Sequence, residues 1–220
     1  QTCALPISSV VKLSQGGYRA YTKSTFDGSV DCFKSQDGFT WSLAGEAFHD
    51  PSHSDVTSPD VFETPAGWMM LLTEGSGLIR CVSSNGLKFE YAGPVALPGK
   101  QSDTVKIREG WRTYFRSDDR VAADAGAIRS AITTNGMDWV LETGARLSPA
   151  LLGGARQKLL DAAFLVSSNG LWRAAVHCAP DESAPGAASL SSSGSGVNTN
   201  RALETGAKLK ALMEIGRAHV

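Results

Sequence analysis

SQDGFTW at residues 35–41 recurs as SSNGLKF at residues 83–89 and as TTNGMDW at residues 133–139. The copies lie about 50 residues apart and keep one order of residue types: a hydroxyl residue, Asp or Asn, Gly, and an aromatic residue. Asp and Asn tolerate the left-handed backbone that Gly adopts without strain, so this pattern predicts a tight turn between two strands. We therefore expect three equivalent hairpin turns. Their key residues are Ser35, Asp37, Gly38, Trp41, Asn85, Gly86, Asn135, Gly136 and Trp139.

A second set of hairpins alternates with the first. SVVKLSQGGYRAY begins at Ser9, DVFETPAGWMMLL at Asp60, DTVKIREGWRTYF at Asp103 and DAAFLVSSNGLWRAAV at Asp161. Each combines two β-rich runs with a Gly-containing turn and an aromatic residue, which is typical of a β-hairpin. SSSGSGV at residues 191–197 is interpreted as a degenerate fourth copy of the first turn, so that each of the four hairpins is followed by one turn motif. One repeat is therefore four antiparallel strands.

Repeats of this length, each with four short strands, are typical of the blades of a β-propeller. The predicted fold is all-β, with blades at residues 8–48, 58–98, 102–148 and 160–210. A closed propeller avoids exposed sheet edges by completing its ring. We expect a truncated or incompletely closed ring of about four blades.

The two ends of the chain are predicted to lie outside this domain. Residues 1–7 (QTCALPI) and 214–220 (EIGRAHV) resemble translated sequencing-adapter DNA, because one codon choice encodes GACGTGTGCTCTTCCGATC on opposite strands of the two. Artefacts of this kind are excluded from fold reasoning. Residues 8–213 then form a single propeller domain, expected to be a piece of a longer protein.

Composition and cysteine usage exclude several classes of protein. The formal net charge is −1, with 42% hydrophobic and 20% charged residues, so the chain lacks the basic excess of a nucleic-acid binder. No apolar run is long enough to predict a transmembrane helix. With Cys3 set aside in residues 1–7, the remaining Cys32, Cys81 and Cys178 are odd in number and lack the spacing of a disulfide framework or zinc site. Cys32 and Cys81 lie in matching segments of the repeat, so we expect these two thiols to be buried.

The turn sequences also carry a family resemblance. SQDGFTW matches the Asp-box pattern Ser-x-Asp-Gly-x-x-Trp, and the other two copies match it with Asn for Asp. The chain thus resembles the five- or six-bladed propellers of sialidases and related glycoside hydrolases with Asp-box (BNR-type) repeats. The resemblance implies a carbohydrate-active protein with a glycan as its ligand and a secreted or periplasmic location. In that family the Asp box is a structural turn remote from the active site.

Strand direction predicts which edge of the blades would bind a ligand. In a four-stranded meander the first strand begins, the second ends and the third begins at one edge, here called the entry rim. The turns of residues 35–41, 83–89 and 133–139 lie at the opposite edge, the turn rim. Inner strands present their groups around the axis of a propeller, so the entry rim is the candidate site.

Charged residues gather at the predicted entry rim. Paired carboxylates are what glycoside hydrolysis needs, and Arg and Lys suit an anionic or polyhydroxylated substrate. Ser9 stands where the related five-bladed glycosidases place an Asp. The candidate catalytic residues are Asp60, Asp103 and Glu74, and the candidate substrate-binding residues are Lys23, Arg80, Arg116, Arg129, Asp161 and His177.

Three alternatives stay open at this point. Asp residues at strand starts also cap loops and pair with Arg, so the chain could be a carbohydrate- or protein-binding propeller without catalysis. It could also be a purely structural module. The linker HDPSHSD contains His49 and His53, which could bind a metal but more commonly are solvated. We expect no metal and no cofactor, and the sequence leaves the oligomeric state open.

Overall fold

The computed structural model describes residues 8–24, 27–118, 126–148, 157–166 and 172–180. Residues 1–7 and 214–220, and the fourth turn predicted at residues 191–197, lie outside these ranges. In the part of the chain that is described, all regular structure is β-strand apart from a short 3-10 helix at Pro51–His53. The strands are β1 (Ser8–Lys12), β2 (Tyr18–Lys23), β3 (Val30–Ser35), β4 (Ser42–Phe48), β5 (Val56–Thr64), β6 (Gly67–Glu74), β7 (Gly77–Ser83), β8 (Glu90–Val95), β9 (Gly99–Ile107), β10 (Gly110–Ser117), β11 (Ile128–Thr133), β12 (Val140–Leu141), β13 (Gln157–Val166) and β14 (Trp172–Pro180).

The strands form sheets in strict chain order. Sheet 1 contains β1 to β4, sheet 2 contains β5 to β8 and sheet 3 contains β9 to β12, while β13 and β14 form the described part of sheet 4. Every pairing is antiparallel between consecutive strands. The predicted four-stranded antiparallel unit is therefore confirmed three times.

The three predicted turns occupy equivalent places, each joining the third and fourth strands of a sheet. In the first turn Asp37 Oδ1 accepts hydrogen bonds from the N–H groups of Phe39 and Thr40, both at 2.8 Å. These and the Ser35 hydroxyl hold the pKa of Asp37 far below its ordinary value. Asn85 Oδ1 and Asn135 Oδ1 accept from the equivalent N–H groups at 2.8 Å, so the Asn copies keep the bond that shapes the turn.

Successive sheets pack face to face around three hydrophobic clusters. The first cluster, between sheets 1 and 2, includes Tyr21, Phe48 and Met70. The second lies between sheets 2 and 3, and the third joins sheet 3 to β13 and β14. Burial of large apolar side chains between sheets is the main source of stability in such an arrangement.

The aromatic residues that end the three turns do not all pack alike. Phe89 of sheet 2 is buried against Tyr21 of sheet 1, with the ring centroids 5.9 Å apart. Trp139 of sheet 3 meets Phe62 of sheet 2 edge to face at 6.2 Å. Trp41 of sheet 1 is half-buried, and its indole N–H donates to Gly38 O in its own turn. Phe89 and Trp139 therefore pack between sheets, whereas Trp41 does not, because no described sheet covers that face of sheet 1.

Both thiols that the sequence predicts to be buried lie inside the protein. Cys32 and Cys81 are both buried in the cluster between sheets 1 and 2, and Cys178 is partly buried. Burial, with Asp50 and Glu74 nearby, raises the pKa of Cys81 to about 12. The predicted packing role is confirmed for Cys32 and Cys81.

Candidate functional site

The first strand of each sheet is called its inner strand here. In β5, β9 and β13 the strand pairing is irregular near the entry rim. The pairing register shifts between Thr57 and Asp60, between Lys100 and Asp103, and between Leu159 and Asp161. In the first two strands a non-glycine residue adopts a left-handed backbone there: Ser58 with φ 54° and Gln101 with φ 55°. Such bulges commonly lie beside functional sites, where they re-aim neighbouring side chains.

One residue in each of β1, β5 and β9 accepts a hydrogen bond from the next inner strand, and in β5 and β9 this residue directly follows the bulge. Ser9 Oγ accepts a hydrogen bond from Val61 N–H at 3.0 Å. Asp60 Oδ1 accepts from Thr104 N–H at 3.1 Å. Asp103 Oδ2 accepts from Phe164 N–H. Ser9, Asp60 and Asp103 therefore hold equivalent places in a chain of bonds that joins all four sheets near their common axis.

Asp60 is the most enclosed of the three, with 3% of its surface exposed. Its second oxygen accepts from the Thr104 hydroxyl at 2.6 Å, so both carboxylate oxygens bind the neighbouring sheet. Burial raises the pKa of Asp60, against the lowering effect of the hydrogen bonds from Thr104 and Ser102. Its contacts join two sheets and leave little of the carboxylate for a ligand.

Glu74 and His53 form a different arrangement at the same rim. Glu74 is the last residue of β6, and His53 lies in the 3-10 helix that leads into β5. Glu74 Oε1 lies 2.9 Å from His53 Nδ1, and both side chains are partly exposed. The His53 ring stacks on Tyr91 with centroids 4.1 Å apart. A carboxylate that fixes one ring nitrogen leaves the other to accept or donate a proton.

The residues that end the second strands also bind across sheets. Thr73 Oγ1 accepts from Gln101 N–H at 2.8 Å, and Arg116 Nη1 donates to Leu159 O at 3.3 Å. Each thus anchors the bulge of the following inner strand. Lys23, at the equivalent end of β2, is half-buried.

The two remaining candidate arginines, Arg80 and Arg129, have different surroundings. Arg80 donates to Met137 O at 3.0 Å and to Ala92 O at 3.1 Å, so its guanidinium holds the turn of sheet 3 and not the entry rim. Arg129, near the start of β11, has a buried Nε with no hydrogen-bond partner among the described residues.

Asp161 and His177 are register partners on β13 and β14. Asp161 begins its hairpin in the sequence as Asp60 and Asp103 begin theirs, but it lies two residues earlier in the strand register. Ala163 pairs three residues beyond Trp172, as Asp60 does beyond Trp68 and Asp103 beyond Trp111. Asp161 instead aligns with the bulge residues Ser58 and Gln101.

The two histidines of the linker belong to separate groups. His49 lies with Asp27 and Glu46, and one ligand atom from each lies within 4.8 Å of the others on the exposed surface. His53 is paired with Glu74 instead. The residues that sequence reasoning missed are Thr104, Gln101 and Tyr91. For Thr104 a signal existed, since a hydroxyl residue directly follows the strand-start Asp.

Comparison with solved structures places this arrangement of sheets in a known architecture. The chain is similar to Zg3597, a family 117 glycoside hydrolase of the marine bacterium Zobellia galactanivorans, with a TM-score of 0.54 and 11% identity over 79% of this chain and 66% of that one. The fold is that of a β-propeller. Each sheet is thus a propeller blade, and the chain forms part of a ring.

Two fungal structures show the same propeller architecture. The α-L-arabinofuranosidase Arb93A of Fusarium graminearum gives a TM-score of 0.59 at 14% identity, covering 81% of this chain and 57% of that one. The α-L-arabinanase of Penicillium chrysogenum gives 0.57 at 12% identity, covering 79% and 57%. The chain therefore spans 57–66% of the length of these three structures. No protein-family model and no curated protein matches it. No helix in the described ranges is long and apolar enough to cross a membrane.

Proposed function

We propose that the protein is a carbohydrate-active propeller of the glycoside hydrolase type, with a glycan bound at the entry rim. The propeller architecture that it shares with an arabinofuranosidase and an arabinanase supports this function. The finer form of the proposal is a sialidase-like activity, for which the support is the three turn motifs and the arginines near the rim. Arg116 and Arg129 are the candidates to bind an anionic sugar, because Arg80 is engaged with a turn.

The observation that carries the proposal is the Glu74–His53 pair. Glycoside hydrolysis requires a group that protonates the leaving oxygen and a second that acts as base or nucleophile. Glu74 is a partly exposed carboxylate at the entry rim, and its partner is the imidazole of His53 in the linker that leads into the same blade. In the proposed mechanism Glu74 orients His53, and the hydrogen-bonded pair supplies the first of these groups, the acid that protonates the leaving oxygen.

The second candidate is a glycan-binding propeller without catalysis. It is favoured by the contacts of Asp60 and Asp103, since each carboxylate binds the backbone of the next blade. Two carboxylates committed to structure leave fewer groups for hydrolysis. Under this reading the rim recognises a sugar and releases it unchanged.

Hydrolysis of a panel of aryl α-L-arabinofuranosides, galactosides and sialosides, measured together with oligosaccharide binding by calorimetry, separates the two candidates. If the protein is a hydrolase, Glu74→Gln lowers the rate by about 10²-fold or more, as loss of a general acid–base group does. Glu63→Gln is the matched control, because Glu63 is an exposed carboxylate near the turn rim of the same blade. Binding without turnover would support the second candidate, and neither binding nor turnover would contradict both.

A further inference from the structure

Two of the three turns place Asn directly before Gly, a dipeptide whose side-chain amide is prone to spontaneous loss of ammonia. The nitrogen of Gly attacks the Cγ of Asn, so that a new N–C bond forms and the Cγ–Nδ2 bond breaks. The released NH₂ takes the proton of the Gly N–H and leaves as ammonia. Water then opens the cyclic imide to aspartate or to isoaspartate. Asn85 and Asn135 are the residues concerned, whereas the first turn already has Asp37 at this position.

The hydrogen bonds of the folded turn oppose this reaction in both copies. Gly86 N–H donates to Ser83 Oγ at 2.9 Å, and Gly136 N–H donates to Thr133 Oγ1 at 3.0 Å. The Asn side chains accept from N–H groups further along the turn, so they are held in place as well. The attacking nitrogen is therefore available only when the turn opens, and the rate of the reaction follows that local opening.

The preceding blade holds the second turn on both sides of its attacking nitrogen. Arg19 Nη1 donates to Asn85 O at 2.6 Å, and the hydroxyl of Tyr21 donates to Gly86 O at 2.6 Å. Both donors come from β2 of sheet 1, and Tyr21 is fully buried. Opening of this turn therefore breaks two hydrogen bonds between blades in addition to those within the turn.

The third turn lacks these two donors. By strand register, Met69 and Leu71 of β6 occupy the places that the two donors occupy in β2, and neither side chain can donate a hydrogen bond. Arg80 reaches the third turn instead, but it donates to Met137 O, two residues beyond Asn135. The Asn–Gly unit of the third turn is therefore held less firmly than its counterpart in the second.

The residue three places after the Asp or Asn also differs among the turns. In the first turn Asp37 Oδ2 accepts from the Thr40 hydroxyl at 3.2 Å. In the third turn Asn135 Nδ2 donates to Asp138 Oδ2 at 2.9 Å. Loss of ammonia replaces this donor by a second carboxylate oxygen, so that two negative charges face each other across the turn. The equivalent residue of the second turn is Lys88, whose charge attracts a carboxylate.

We propose that Asn135 is a site of spontaneous deamidation in the folded protein, and that its conversion to aspartate weakens the hairpin of β11 and β12. Asn85 is the protected counterpart in the second turn. Isoaspartate, the other product, adds a carbon atom to the main chain within the turn and disrupts the hairpin further. This modification is independent of the proposed carbohydrate function.

Peptide mapping of the full chain after incubation at mildly alkaline pH measures both rates in one sample. Trypsin releases Asn85 and Asn135 in separate peptides, residues 81–88 and 130–146, and mass spectrometry separates the converted forms from the amide. In the folded protein Asn135 is expected to react at least about fivefold faster, because opening of the Asn85 turn breaks two further hydrogen bonds. In urea the two rates should be similar, since each Asn–Gly is then unfolded and preceded by a hydroxyl residue.

Arg19→Met gives β2 the residue type that β6 has at the same place. It removes one of the two donors, so it should raise the rate at Asn85 in the folded protein at least about threefold. The rate at Asn135 should not change, and Asn135 is thus the control within the same molecule. The proposal is overturned if Asn135 does not react in the folded protein, if both residues react equally fast there, or if Arg19→Met leaves the rate at Asn85 unaltered.

Asn135→Asp reproduces the aspartate product and tests its effect on the fold. It should lower the urea concentration at the midpoint of unfolding, whereas the matched Asn85→Asp, beside Lys88, should leave the midpoint unchanged or raise it. Adding Asp138→Asn to Asn135→Asp removes the like charge and should restore the midpoint. High salt should narrow the difference between the two single variants, because exposed charges are screened. An unaltered midpoint in Asn135→Asp, or no recovery with Asp138→Asn, would overturn the proposed weakening.

Discussion

At the scale of single residues, Asp60 combines deep burial with two hydrogen bonds to one neighbour. A buried carboxylate is tolerated when its oxygens are satisfied, and Thr104 supplies both a backbone N–H and a hydroxyl. An amide keeps both bonds, because its oxygen accepts from the N–H and its NH₂ donates to the hydroxyl oxygen, which then acts as acceptor. The hydrogen bonds of Asp60 therefore depend on the shape of its side chain more than on its negative charge.

Asp60→Asn is expected to leave the free energy of unfolding within about 1 kcal/mol of the original at neutral pH, because the hydrogen bonds are kept. Burial raises the pKa of Asp60 in the folded protein, so folding favours the protonated carboxyl. The contribution of Asp60 to stability thus falls as the pH rises from the ordinary carboxyl pKa through the folded value, and Asp60→Asn removes this pH dependence. Urea unfolding at a series of pH values measures both effects.

Asp60→Ala is the contrasting variant. It leaves Thr104 N–H without its acceptor, which costs about 1–3 kcal/mol. If Asp60→Asn proves as damaging as Asp60→Ala, the interpretation by shape fails. If Asp60→Asn is stable but abolishes a measured glycosidase activity, Asp60 acts in catalysis.

At the scale of the turn, three copies of one motif meet different surroundings. Gly38 and Gly86 have nearly the same left-handed backbone, with φ 78° and 70°. A Cβ on Gly38 would meet only Tyr18, at 3.6 Å, whereas a Cβ on Gly86 would come within 2.6 Å of the buried Trp68 ring. The turn of Gly86 is therefore in close contact with its own blade and with sheet 1, whereas the turn of Gly38 has space around it.

Gly38→Ala should cost about 1–2 kcal/mol, the price of a left-handed backbone for a residue with a Cβ. Gly86→Ala should cost a further 1–3 kcal/mol or so, because the Trp68 ring must move in a filled core. Chemical denaturation of the two variants side by side measures the difference. Equal losses would show that Trp68 and Arg19 shift freely around the turn.

The aromatic residue of the turn gives a second matched pair. Trp139→Ala removes the contact with Phe62 between two blades and should cost about 3–5 kcal/mol. Trp41→Ala should cost less than half as much, because Trp41 contacts its own turn and no described blade covers it. Thermal unfolding monitored by circular dichroism compares them, and a larger loss for Trp41→Ala would mean that another surface covers that face of sheet 1.

The turns could be predicted from the sequence because their chemistry is local: Asp37 and its Asn counterparts bind N–H groups two and three residues away. The bulges could not, because a left-handed Ser58 or Gln101 has no distinctive residue type. The unbroken pairing from Asp161 to Val166 places Asp161 two residues before the position equivalent to Asp60 and Asp103. Partners across blades, such as Gln101 for Thr73, depend on how two distant strands align, which a single repeat does not encode.

At the scale of the whole molecule, the blades are unequally supported. Sheet 2 is packed on both faces, by the cluster with sheet 1 on one side and the cluster with sheet 3 on the other. Sheet 1 is packed on one face and exposes Val10 and Leu43 on the other. In a repeat architecture each unit is stabilised by its own fold and by its neighbours, so a unit with one neighbour opens more readily.

Amide hydrogen exchange should therefore rank the blades. The central strands β6 and β7 of sheet 2 are expected to exchange most slowly, and β2 and β3 of sheet 1 faster, although both pairs are central strands with a complete ladder on each side. Equal protection of sheets 1 and 2 would contradict this argument, since it would require sheet 1 to be stabilised without a partner on its exposed face.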